Sequence, residues 1–189
     1  MSSYYLPPSI KFSVVYPGLG GQEDSYLDLV ISESSSSTFP TAGSTLDAWC
    51  IDRNAVIDPT PPAGTHYEGT LFSSSASELG LLAIAQPAFS AIFLANVDKL
   101  DSVNWLLNEY YRGTLTSTVA GVTASWQNMQ GAIWSMLGFN GSATGSISGG
   151  SDTEINAIAG AALIAGDGYV ADTDEYLSLI HISEPTRPY

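Results

Sequence analysis

The sequence predicts an α+β fold, with strands in its first third and helices in the remainder. Two patterns carry this. Up to Phe72, apolar residues alternate with polar ones between Gly- and Pro-rich breaks. From Asp98 onward they recur at helical spacing behind recognisable caps. The chain has 189 residues, of which 44% are apolar, so one domain with a sizeable buried core is expected.

Taken in order, Ile10, Phe12 and Val14 alternate with Lys11 and Ser13, the period of a half-buried strand. A turn holding Gly18, Gly20 and Gly21 leads to a second run, Tyr26 to Ile31, with Leu27, Leu29 and Ile31 set against Asp28. Ser34 to Ser37 reads as a polar loop. Leu46 to Ile51, centred on Trp49 and Cys50, is a short apolar run expected to be a strand that ends at Asp52. Pro59, Pro61 and Pro62 break the chain before a further strand candidate, Thr65 to Phe72.

The helical part begins with Asp98, a candidate cap for a helix to Tyr111, with Val103, Leu106, Leu107 and Tyr110 on one face and Gly113 as its stop. Ser125 can cap a second helix that ends at Gly138. Ser151 and Glu154 have capping-box spacing ahead of a third, whose Ile155, Ile158, Ala159 and Ala162 fall on one stripe. Ala76 to Ala95 is apolar but interrupted by Gly80 and Pro87, and its pattern favours neither state. Gly141 to Gly150 reads as a Gly/Ser loop. No internal repeat is visible.

Composition narrows the function. Asp and Glu number 19 against 5 Lys and Arg, a formal charge of −14. Such a surface repels phosphate backbones and anionic headgroups, which argues against nucleic-acid and membrane-surface binding. No run approaches the ~18 apolar residues of a membrane span, and the N-terminus lacks the features of a signal peptide. The lone cysteine, Cys50, cannot form a disulfide within the chain. It is either a small buried hydrophobe or, in an exported protein, a thiol with a task.

The most informative arrangement is on the second helix. Gln130 shares a face with Trp126, Ile133, Trp134 and Leu137, so a carboxamide stands on an aromatic, apolar stripe. Left unpaired there, it would cost about 1–3 kcal/mol. Either it hydrogen-bonds to a nearby backbone segment, or its carbonyl carbon is bonded to a nucleophile. Gly131, next in line, would admit close approach of another segment. Cys50 is the available thiol. Attack of a thiolate on the carboxamide carbon expels ammonia and leaves a Cys–Gln thioester, an activated acyl group that persists where water is excluded.

Other chemistry is less well supplied. His66 is the only histidine outside the last dozen residues, so a Cys–His acyl hydrolase would pair it with Cys50, with no third orienting group evident. No zinc spacing occurs, and Asp167, Asp172 and Asp174 do not follow the EF-hand pattern; no metal and no cofactor are expected. Gly18, Gly20 and Gly21 do not form a GxGxxG loop. Asn140-Gly-Ser142 matches a glycosylation sequon but reads more simply as a turn.

Two segments, Ala48-Trp-Cys-Ile-Asp52 and Met129-Gln-Gly-Ala-Ile-Trp134, resemble the thioester domains of bacterial surface adhesins. Between them Val103-Asn-Trp-Leu-Leu-Asn-Glu-Tyr-Tyr111 is similar to the helix that family carries ahead of its Gln-x-Ala-Ile-Trp helix. The resemblance covers about Asp47 to Ala165. It implies an internal thioester between Cys50 and Gln130 that reacts covalently with host proteins. Ile51 departs from the pattern, since family members often carry an aromatic residue after the cysteine.

The resemblance also implies closing β-strands after the third helix, which this chain is expected to lack. Ser178 to Tyr189 resembles translated sequencing adapter rather than evolved protein. Residues 178–189, with His181 and Arg187, are therefore set aside as a non-native tail, and the natural domain is expected to be cut short near Tyr176.

The expectation is a single domain over residues 1–177: a β-rich base, sandwich or barrel-like, carrying Cys50 and packed against a helical subdomain presenting Gln130. Trp49, Trp126, Ile133 and Trp134 are expected to wall the pair from water, with His66 as a candidate proton shuttle. The implied function is adhesion by a secreted or cell-surface protein of Gram-positive type, which acts as a monomer. It would capture a lysine amine on a host or neighbouring surface protein, once and without turnover, so it is not read as an enzyme. The rivals are a non-reactive structural module of an exported protein and the Cys–His hydrolase.

Overall fold

The alternation of Ile10, Phe12 and Val14 with their neighbours produces β1 (Ile10–Val15), buried at every second residue. In the computed structural model the described residues are 10–15, 25–35, 41–51, 53, 66–69, 72–73, 90–139, 149–170 and 179–180. Outside them lie the glycine turn at Gly18 to Gly21, Asp52, Pro59 to Pro62, residues 76–89 of the unassigned apolar stretch, Asn140 to Ser142, most of the Gly/Ser loop, Asp172, Asp174 and most of the C-terminal stretch. The protein is α+β, and its chain falls into two compact units. One comprises Met1–Trp49, Val56–Ser73 and Leu179–Tyr189; the other comprises Cys50–Ala55 and Ser74–Ser178.

The first unit is β-rich. β2 (Leu27–Ser34), β3 (Thr45–Ala48) and β4 (Tyr67–Gly69) join β1 in an antiparallel sheet of order β3-β2-β1-β4. One face carries Ile10, Phe12, Val14, Leu27, Ile31 and Tyr67, with Phe12 and Tyr67 stacked at 5.8 Å between centroids. Lys11 and Glu33 face each other across β1 and β2 as an ion pair of 2.9 Å.

Three sequence expectations are corrected here, and the ladder carries one irregularity. Asp28, assigned to solvent by alternation, is buried and accepts a hydrogen bond from the buried Ser25 hydroxyl at 3.1 Å. The register also shifts between Lys11 and Phe12, whose partners are Glu33 and Ile31, so Ser32 is the extra residue of a bulge. The run from Thr65 to Phe72 is not one strand. β4 ends at Gly69, and Phe72–Ser73 (β5) belongs to a separate two-stranded ladder with Leu179–Ile180 (β6), inside the stretch set aside from the sequence. Lastly, β3 stops at Ala48. Its last pair is Ala48 with Leu27, the first residue of β2, so Trp49 and Cys50 lie beyond the ladder. Cys50 therefore follows a strand rather than sitting in one.

The second unit is helical. α1 (Ala91–Leu94) and a 3-10 turn (Val97–Lys99) lead into α2 (Leu100–Tyr111), followed by α3 (Leu115–Thr118), α4 (Trp126–Met136) and α5 (Asp152–Ala165). α5 packs on both α4 and α2. Its inward residues are Ile155, Ile158, Ala159 and Ala162, those its periodicity predicts. Gly113 and Gly138 take φ of +70° and +81°, the left-handed step that ends α2 and α4 where glycine costs least.

α2 differs from expectation at its start and on its faces. Asp98 does not cap it. The 3-10 turn runs straight into the helix, the cap position falls on Lys99 with no side-chain bond, and the Asp98 carboxylate lies 2.8 Å from Lys99 Nζ. Burial is not confined to one stripe either, because Ser102 to Asn108 are all buried while Tyr110 is half-buried. Asn108 Nδ2 meets the Asn104 carbonyl at 2.9 Å, which helps a polar side chain tolerate that position.

Gly166 shows how closely α5 and α2 approach. A Cβ there would stand 2.6 Å from Ser102 Cα, 2.8 Å from the Ala162 carbonyl and 2.9 Å from Trp105 Cβ. Backbone atoms cannot yield as a side-chain tip can, so Gly166→Ala is expected to destabilise the protein by about 2 kcal/mol or more. The urea midpoint of the variant checks this.

Asp101, in the first turn of α2, has its carboxyl held above the ordinary range by burial, with the charges of Asp167 and Asp98 acting in the same direction. A carboxyl whose pKa is raised on folding binds its proton more tightly in the folded state, so stability falls as pH rises through that range. Asp101→Asn is expected to be slightly more stable than wild type near pH 7. The gain is small because the group is partly exposed, and it vanishes as pH drops below the ordinary value of 3.8. Thermal unfolding of both proteins across that range tests the sign.

Candidate functional site

The site is built on α4. Its start is fixed by Ser125, in extended conformation, whose hydroxyl accepts the Asn128 N–H at 3.2 Å. From that cap, helical geometry carries Trp126, Gln130, Ile133, Trp134 and Leu137 to one face. All are buried, and Gln130, Ile133 and Leu137 are fully so. A carboxamide with no solvent access must find partners within the protein.

Its partners are both on Cys50. The Cys50 N–H donates to Gln130 Oε1 at 2.9 Å, and Gln130 Nε2 donates to the Cys50 carbonyl at 2.7 Å. This fixes the amide's orientation, since exchanging oxygen and nitrogen would oppose donor to donor and acceptor to acceptor. β3 ends at Ala48, and two residues later Cys50 pairs through its backbone with the Gln130 side chain, across 80 residues of sequence. Cys50 itself is half-buried.

A second link joins the same two pieces of chain. The Arg53 guanidinium carbon lies 5.4 Å from the centroid of the Trp134 ring, within cation–π range. Arg53 is three residues beyond Cys50, and Trp134 is one helical turn beyond Gln130.

The base of α4 is tied to α5 by a polar junction. Asn128, nearly fully buried, donates through Nδ2 to the Thr123 carbonyl at 3.0 Å and to Glu154 Oε2 at 2.7 Å. Its Oδ1 accepts the Ser151 N–H at 2.8 Å. Glu154 Oε2 also accepts the Thr123 N–H at 2.8 Å. This amends the expected capping box. Ser151 does accept the Glu154 N–H, at a long 3.5 Å, but the Glu154 carboxylate turns to Asn128 and Thr123 while Asn128 supplies the Ser151 amide.

Cys50 and Gln130 thus meet within the helical unit, and Trp126, Ile133 and Trp134 flank Gln130 on α4. Trp49 is half-buried and precedes Cys50 directly in the chain. His66 belongs to the β-rich unit, where it is exposed immediately ahead of β4. Arg53 and Asn128 were not singled out from the sequence. Arg53 had a signal, being one of 5 basic residues and three beyond the sole cysteine. Asn128 had one in its place at the third position of a capped, apolar helix.

Among the described residues no three His, Cys, Asp or Glu side chains gather as a metal site would require, and no helix is long and apolar enough to cross a membrane. Comparison with models of known families, with curated proteins and with solved structures gives no match to this chain.

Proposed function

We propose that Cys50 and Gln130 form an internal thioester, and that the protein uses it to attach covalently to an amine on a partner. The reciprocal hydrogen bonding of the buried Gln130 carboxamide to Cys50 is the observation that carries this reading. It keeps the one thiol-bearing residue of the chain beside an amide that water cannot reach. The Cys50 N–H at Oε1 polarises the carbonyl and would meet the negative charge that develops there during attack.

In that step the Cys50 sulfur bonds to Gln130 Cδ, the Cδ–Nε2 bond breaks, and ammonia leaves with the thiol proton. In the second step a neutral amine attacks the same carbon, the Cδ–S bond breaks, and the proton passes to the Cys50 sulfur. The product is a permanent amide. The buried rings of Trp126 and Trp134 keep the acyl group from hydrolysis between the two steps. Nothing regenerates the thioester, so each molecule acts once.

The reading includes an exported, surface-exposed protein, a lysine on a host or neighbouring surface protein as the amine, and a single domain over residues 1–177 whose β-rich base is of sandwich or barrel type. The charge of −14 and the single cysteine agree with it. A second reading has its own support. The same two hydrogen bonds satisfy the Gln130 amide without a covalent bond, as in a non-reactive structural module.

Methylamine separates them. Incubation with it is expected to add one methylamine to the peptide containing Gln130 and to release one alkylatable thiol at Cys50. Unmodified Gln130 together with a thiol that alkylates before any amine is added would rule in favour of the structural module.

A further inference from the structure

We infer that Arg53 is a positioning residue for the Cys50–Gln130 pair, its charge seated over the Trp134 ring so that the segment from Cys50 to Arg53 stays clipped to α4. The inference rests on the thioester reading for its purpose but not for its geometry. The Gln130 hydrogen bonds at Cys50 and the cation–π contact of 5.4 Å at Arg53 both tie this part of the chain to the helix. Arg53 is three residues beyond Cys50, and Trp134 is four residues, about one helical turn, beyond Gln130. Attachment at Arg53 as well as at Cys50 restricts pivoting about the Gln130 hydrogen bonds, and acyl transfer depends steeply on such alignment.

The choice of residue fits this role. In a chain with 19 acidic and 5 basic side chains, a cation close to Cys50 in sequence stands out against the composition. Trp offers the most electron-rich face for it, and burial of that ring strengthens the attraction.

The test has two arms. In the first, the sulfur is removed by C50S, which leaves the backbone groups of residue 50 and their bonds to Gln130 in place. Hydrogen exchange of the residue 50 amide is then compared with and without R53Q. Loss of the cation is expected to speed that exchange by about tenfold, while R53K, which keeps a charge over the ring, stays close to C50S alone. In the second arm, with Cys50 present, R53Q is expected to carry a smaller thioester fraction by intact mass than wild type at the same age, and R53K to restore it. Thermal unfolding of each variant separates this local effect from global loss of structure.

Equal exchange with and without R53Q overturns the inference, as does R53K behaving like R53Q. Wild type at full mass would instead sink the thioester reading, while the C50S arm still decides whether Arg53 holds the segment.

Discussion

Gln130→Ala is expected to lower the unfolding free energy by about 3 kcal/mol, from the cavity left in a closed core and from the two Cys50 backbone groups stripped of their partner. The residue has no exposure, and both of its polar atoms are engaged with the Cys50 backbone, so the truncation removes packing and two hydrogen bonds together. Urea denaturation measures that loss. Gln130→Glu sharpens the argument because it preserves shape. A carboxylate would set an oxygen where Nε2 now donates to the Cys50 carbonyl at 2.7 Å, and two acceptors cannot share that contact. The new carboxyl is expected to keep its proton well above the usual range. Its pKa is then raised on folding, so the variant gains stability on acidification and loses it as pH rises. Neither variant can form a thioester.

Asn128→Asp is expected to be of similar size, about 3 kcal/mol at neutral pH, and for a different reason. Asn128 joins the start of α4 to the start of α5 by giving two hydrogen bonds and taking one. The substitution keeps the acceptor for the Ser151 N–H but replaces the donor with a charge 2.7 Å from Glu154 Oε2. Two carboxylates that close cannot both ionise cheaply, so one is expected to hold its proton at a raised pKa, and part of the stability should return at low pH. Asn128→Ala tests the junction without the added charge. It should lose a comparable amount with much less dependence on pH. Because Gln130 lies only two residues further along α4, either variant is also expected to lower the thioester fraction, which intact mass would record.

The sequence was most legible where the controlling interactions are local. The four inward residues of α5 and the Ser125 cap of α4 follow from helical period and capping chemistry, which neighbours in the chain decide. The burial of Gln130 among Trp126, Ile133 and Trp134 was legible for the same reason. What escaped depended on partners distant in sequence. Cys50 was expected inside a strand because its run is apolar. How far β3 extends, however, is set by where β2 begins, at Leu27, and no pattern around Cys50 records that. Asp98 had the chemistry of a cap, but the 3-10 turn that absorbed it left no cap position to fill. Glu154 had the spacing of a capping box, and a neighbouring loop with an unpaired Thr123 N–H claimed its carboxylate instead. Asp28 broke alternation because Ser25 supplies a hydroxyl inside the core.

These cases share one cause. Periodicity tells which side of an element faces inward, but a polar side chain chooses among donors and acceptors brought near by the whole fold. Gln130 is the instructive instance. Its helix face was readable, whereas its pairing with Cys50, 80 residues away, was not.

Intact mass of the freshly purified chain under denaturing conditions bears most directly on the proposed bond. Wild type should weigh one ammonia less than its sequence requires, with C50S and Gln130→Ala each at full mass. A wild-type chain at full mass, carrying a Cys50 thiol that alkylates on unfolding, would contradict the thioester and leave Gln130 as a structural tie alone.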